Sequence, residues 1–107
     1  MAYQFDRLKI LVVDDNAHMR KLVIAILEAF GVHQVTEAAD GERAWNLLRE
    51  VGPDIILLDW VMEGMSGIDL VKRIRNRPQS PNPFVPVIML TGYTSTDRGR
   101  GARCGNQ

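Results

Sequence analysis

The stretch Asp54-Ile55-Ile56-Leu57-Leu58-Asp59-Trp60 decides the fold. Consecutive large aliphatic residues, closed off by Gly52-Pro53 before and Gly64 after, predict a short strand buried on both faces, as in a parallel sheet covered by helices. Asp59 stands where that strand ends. In open α/β sheets ligands bind beyond the carboxyl ends of the strands, although an Asp after a strand is also a common turn former or helix cap. Further toward the N-terminus, Leu8-Lys9-Ile10-Leu11-Val12-Val13 has the same character and ends in Asp14-Asp15. Two neighbouring parallel strands would bring all of these carboxylates to one edge.

Working outward, a pattern of alternating strands and helices emerges. After Asp14-Asp15, with Asp15 or Asn16 as cap, Met19, Leu22, Val23, Ile26, Leu27 and Phe30 recur at helical spacing, and Arg20, Lys21 and Glu28 fall outside that stripe. Gly31 ends the helix. Gln34 to Ala38 is a less apolar strand, expected at a sheet edge. Asp40-Gly41 then opens a second helix whose buried face is Ala44, Leu47, Leu48 and Val51, with Trp45 at its margin and Gly52-Pro53 closing it. Beyond Asp59, Ser66 and Asp69 have capping-box spacing before a third helix with Ile68, Val71 and Ile74 inward. Its Lys72, Arg73, Arg75 and Arg77 complement the negative end of the helix dipole. Pro78, Pro81 and Pro83 mark a loop, and Phe84 to Leu90 is the fourth strand, ended by Thr91-Gly92. Short crossovers between strands give a parallel sheet with helices on both faces.

Composition narrows the function. With 107 residues the chain is a single small domain, 1–107, in which about 99–107 is an irregular tail without apolar period. Lys plus Arg and Asp plus Glu are 13 each, so net charge recommends neither nucleic acid nor anionic membrane as a partner. The single cysteine, Cys104, rules out an intrachain disulfide, and His18 and His33 have no Cys or second His beside them to suggest zinc. No signal-length or membrane-length apolar segment is present, and a cytoplasmic protein is expected.

Convergent carboxylates repel one another, and at neutral pH they share a proton or hold a cation. Mg²⁺ suits such an oxygen-only set, because it takes few carboxylates and leaves room for phosphate oxygens. Thr91 offers a hydroxyl to a phosphoryl group at the same edge, and Gly92 allows the backbone to approach closely.

Asp14-Asp15 after an aliphatic strand, Asp59 after Ile-Ile-Leu-Leu, Gly64-Met65-Ser66-Gly67, and Thr91-Gly92 after Val-Ile-Met-Leu together resemble the receiver domain of two-component response regulators. The resemblance covers roughly 7–98 and is to receivers of the chemotaxis-type single-domain kind. It implies a flavodoxin-like, doubly wound sheet of order 2-1-3-4-5, of which this chain would carry 2-1-3-4. It also implies Asp59 as phosphoacceptor, with Mg²⁺ held by Asp14, Asp15, Asp59 and the backbone carbonyl of Val61. The phosphoryl donor would be a phosphohistidine on a histidine kinase or phosphotransfer protein, and Thr91 would bond a phosphoryl oxygen. Val61 and Tyr93 occupy positions that flank the path of hydrolytic water in this family, and an apolar and a bulky aromatic side chain there suggest slow self-dephosphorylation.

The chain also departs from the family pattern. Met62-Glu63-Gly64 replaces a loop that usually carries a proline, and the family's fifth strand, its terminal Lys and its fifth helix have no counterpart, the last lysine being Lys72. An open fourth-strand edge is the expected result, covered by pairing of two copies or by a heterologous partner. The alternative function is a truncated binding module that works without phosphorylation. An aspartyl-phosphate hydrolase is disfavoured because Asp59-Trp60-Val61 lacks a second acid, and a dinucleotide-binding domain because no G-x-G-x-x-G follows the first strand.

Overall fold

The computed structural model describes residues 5–59, 62 and 64–90. Expectations placed on Trp60, Val61 and Glu63, and on Thr91, Gly92, Tyr93 and the tail, lie outside the described residues. After a short 3₁₀ turn at Phe5–Arg7 the chain runs β1 (Lys9–Val13), α1 (Ala17–Ala29), β2 (Gln34–Ala38), α2 (Gly41–Val51), β3 (Ile55–Asp59), α3 (Gly67–Arg75) and β4 (Val87–Leu90). The sheet has the order β2-β1-β3-β4 and every pair in it is parallel. Val13 lies beside Ala38 and Leu58, and Asp59 beside Leu90, so the carboxyl ends of the strands share one edge.

Local chemistry fixes each boundary. Asn16 caps α1 by accepting from the Met19 N–H, Asp40 caps α2 from the Arg43 N–H, and Ser66 caps α3 from the Asp69 N–H. At the end of α1, Gly31 takes a φ of 94° and Val32 N–H reaches back 3.0 Å to the Leu27 carbonyl. Gly52 closes α2 in the left-handed region, and the next residue, Pro53, is fully buried.

The core is divided by the sheet. Leu11, Val13, Ile56 and Leu58 pack with Ala44, Leu47 and Leu48 of α2 and Leu70 and Ile74 of α3 on one face. Ile10 and Val12 pack with Val32 and the flank of α1 on the other.

The helical faces differ from the sequence expectation. Of the α1 stripe, Val23 and Leu27, joined by Ile24, meet the sheet, while Leu22, Ile26 and Phe30 are exposed, Phe30 by 69%. These three follow one another at i, i+4 and i+8 and form a ridge beside the contact line. The same unevenness leaves Ile55 and Leu57 of β3 half-buried, so the strand is fully covered only on the α2 and α3 side. Ile88, in register with Leu57 and therefore on the α1 face, is 51% exposed. In α3 the buried residues are Gly67, Leu70 and Ile74; Ile68 is exposed and Val71 intermediate. Trp45 is buried, with the Arg73 guanidinium 4.2 Å from its ring centre and bridged to Glu42 at 3.0 Å. Arg75 donates to the carbonyls of Pro83 and Val85, so these two arginines have specific partners in addition to the helix dipole. β4 is shorter than expected, because Pro86 has no N–H to donate; its carbonyl accepts from Ile56 before the strand begins.

Candidate functional site

Three acids at two strand ends build the site. Asp14 follows β1 directly and its N–H donates to the Ala38 carbonyl at 3.1 Å, which extends the β1–β2 pairing to the acid itself. Asp15 is exposed in the turn before α1, and Asp59 is the last residue of β3. One carboxylate oxygen from each of Asp14, Asp15 and Asp59 lies within 4.8 Å of the others. Every acid expected at the site from sequence is therefore present, and the central strands of the sheet position them.

Burial makes the cluster electrostatically demanding. Asp14 is 4% exposed and Asp59 8%. Burial pushes the Asp14 carboxyl above its ordinary value of 3.8, opposed by the Asn16 N–H, and the adjacent Asp15 charge pushes it further; a side-chain hydrogen bond with Asp59 and the nearby Arg20 charge act the other way. The Asn16 N–H donates to Asp14 Oδ1 at 2.9 Å. Two buried carboxylates in hydrogen-bond contact need either a proton between them or a cation beside them. The donor set is oxygen only and converges within bonding reach of a single ion, so it fits a hard divalent cation such as Mg²⁺.

The surroundings add features that sequence alone did not reveal. Arg20 donates from Nη1 to the Asp14 carbonyl at 2.7 Å and from Nε to Glu37 at 2.9 Å. An open cleft of about 490 Å³ lies beside Asp15, lined by Ala39, Asp40, Gly41, Glu42, Gly64 and Met65. No helix among the described residues is long and apolar enough to cross a membrane.

The family model described as "Response regulator receiver domain" matches residues 10–105. The phosphate regulon transcriptional regulatory protein PhoB of Escherichia coli is 43% identical over 98 residues, which is 91% of this chain and 42% of that protein. Chemotaxis protein CheY-3 of Vibrio cholerae is 40% identical over 91 residues, 85% of this chain and 68% of that one. The chain thus spans about two-fifths of the PhoB relatives and two-thirds of the chemotaxis protein. Among solved structures, the N-terminal domain of a response regulator receiver protein from Methanoculleus marisnigri superposes with a TM-score of 0.74 at 34% identity, covering 84% of this chain and 71% of that one. Chemotaxis protein CheY4 of Vibrio cholerae gives 0.71 at 32% identity, covering 91% and 84%.

Proposed function

The chain belongs to the response regulator receiver family, and we propose that it accepts a phosphoryl group on Asp59 within a two-component phosphorelay. The observation that carries this reading is the convergence of Asp14, Asp15 and Asp59 within 4.8 Å at the carboxyl edge of the sheet. An Asp59 carboxylate oxygen attacks the phosphorus of a phosphohistidine; the P–N bond breaks and its electron pair stays on the imidazole, which takes up a proton. Asp14 and Asp15, with Asp59 and the Val61 carbonyl, are assigned to Mg²⁺. When bound, that ion neutralises charge on the transferring group. The chain's own part is positioning: β1 and β3 fix the acids, and the Asn16 N–H orients Asp14. Thr91 and Gly92 are assigned to the phosphoryl oxygens, and Val61 and Tyr93 to the rate of hydrolysis. The acyl phosphate is a signalling state and not a turnover product.

The test is phosphorylation by a small phosphodonor such as acetyl phosphate, read by intact mass, on the wild type beside Asp59→Asn. A gain of one phosphoryl group that requires both Mg²⁺ and Asp59 supports the reading. No gain by the folded wild type would favour a binding module that works without phosphorylation. For the role of Val61, a phosphoryl lifetime no longer than that of Val61→Asn counts against slow self-dephosphorylation.

A contact between two copies at the β4 edge is part of the same proposal. It is supported by the half-exposed Ile88 on β4 and by the exposed ridge of Leu22, Ile26 and Phe30 on the same face of the sheet. Light scattering at increasing concentration tests it, and a monomer throughout the range would sink it.

A further inference from the structure

The sequence places Arg20 outside the apolar stripe of α1, where the ordinary expectation is a solvated charge. The structure gives it a different setting. Its side chain is only 16% exposed, whereas that of Glu37 is 47% exposed. The guanidinium turns back over the first turn of its own helix, and its fork serves two elements at once, Nη1 bonding the Asp14 carbonyl and Nε bonding Glu37 on β2. An exposed ion pair is worth little. Here one member is largely buried and is also bonded to the backbone of an acid in the triad.

The register explains why the two residues meet. Glu37 pairs with Val12 on β1, and the next residue, Ala38, accepts from the Asp14 N–H. The peptide units on both sides of Asp14 are thereby held, on the amide side by β2 directly and on the carbonyl side by an arginine that β2 steers. The turn that follows carries Asp15 and the Asn16 N–H that orients the Asp14 carboxylate. Freedom in this turn would change the spacing of two of the three acids.

We propose that Arg20 and Glu37 act as a positioning clamp that fixes the Asp14-Asp15 turn and thereby sets the divalent-cation affinity of the Asp14, Asp15 and Asp59 cluster. The affinity part rests on the Mg²⁺ reading above; the positioning part does not. Arg20 is a positioning residue, since it reaches the site through the Asp14 main chain. Its charge alone would work in the opposite direction, because a cation beside three carboxylates repels an incoming Mg²⁺. Glu37 offsets that charge while directing the fork.

The opposed signs make the test decisive. Mg²⁺ is titrated calorimetrically into the wild type, Arg20→Gln, Arg20→Lys, Glu37→Gln and the Arg20→Gln/Glu37→Gln pair. In parallel, hydrogen exchange of the Asn16 amide is followed in the metal-free proteins. The clamp predicts weaker Mg²⁺ binding in Arg20→Gln by about tenfold, the scale expected when a residue that orients a ligand is lost. A similar loss is expected in Arg20→Lys, which keeps the charge but cannot serve both partners, and Glu37→Gln should add nothing once Arg20 is gone. Faster Asn16 exchange should accompany each Arg20 change. Tighter binding in Arg20→Gln would show that Arg20 acts only by its charge and would overturn the clamp, as would Asn16 exchange equal to that of the wild type in both Arg20 variants. Failure of the wild type to bind Mg²⁺ would refute the cation reading and the affinity part, leaving the positioning part to be decided by the exchange data.

Discussion

A Cβ atom built on Gly41 would lie 2.9 Å from both Cβ and Sδ of Met65, so the first turn of α2 and the loop that follows β3 touch at backbone range. The contact lies on the wall of the cleft beside Asp15. It packs the start of one helix against the loop leaving Asp59.

Gly41→Ala therefore tests packing against propensity. Alanine is the better helix former by up to about 1 kcal/mol in a helix interior, so propensity alone predicts a more stable protein. Because the nearer atoms include Met65 Cβ, which moves only with its backbone, overpacking should dominate and lower stability by about 1–3 kcal/mol. Urea denaturation monitored by circular dichroism measures this, and an unchanged or higher midpoint would mean that the loop yields freely.

The raised pKa of Asp14 predicts a pH dependence with a definite sign. Burial holds the proton on the folded protein to a higher pH than on the unfolded chain, where the ordinary value is 3.8. The stability this group contributes is then fully present below the unfolded value and is lost as pH rises through the raised folded value. In metal-free protein the melting temperature of the wild type should fall relative to that of Asp14→Asn over this range. Added Mg²⁺ should reverse the trend, because cation binding requires ionised carboxylates. A difference between the two proteins that is flat with pH would show that Asp14 is not the group responsible.

Much of the fold was legible because runs such as Ile55 to Leu58 need no phase: a fully apolar strand reads the same whichever face is counted. The convergence of Asp14, Asp15 and Asp59 followed from the strand ends alone. Helix phase was harder to read. In α3, apolar residues at 68, 70, 71 and 74 allow two overlapping faces, and the packed structure buries the one that holds Leu70 and Ile74. Arg20 was readable as a charge but not as a clamp, since its partner Glu37 is set by the β1–β2 register, which a single sequence does not display.

The α3 phase can be checked directly. Leu70 is fully buried and Ile68 is 43% exposed. Leu70→Ala should cost about 2–5 kcal/mol, the range for emptying a core aliphatic position, and Ile68→Ala well under half of that. Comparable losses in chemical denaturation would restore the phase in which Ile68 points inward.

At the opposite end of the sheet from the acids, Asp54 and Lys9 hold β1 and β3 together by reciprocal bonds. The Asp54 N–H donates to the Lys9 carbonyl at 2.8 Å, and Asp54 Oδ2 accepts from the Lys9 N–H at 2.9 Å. This pair precedes the ladder that runs from Ile10 beside Ile55 to Val13 beside Leu58, so it helps set the register at which Asp14 and Asp59 leave their strands. A slip of one residue would turn every side chain of a strand to the other face, and the buried aliphatic residues oppose such a slip far more strongly than one hydrogen bond does. Asp54→Ala should therefore lower stability by about 0.5–1.5 kcal/mol, the scale of one ordinary hydrogen bond, since Asp54 is exposed, while leaving Asp59 phosphorylation close to the wild-type rate. Asp54→Asn, which keeps an acceptor, should recover most of the stability. If Asp54→Ala instead abolished phosphorylation in protein that remains folded, the strand register would depend on this pair more than on the core, and the acids would owe their positions to the far end of the sheet.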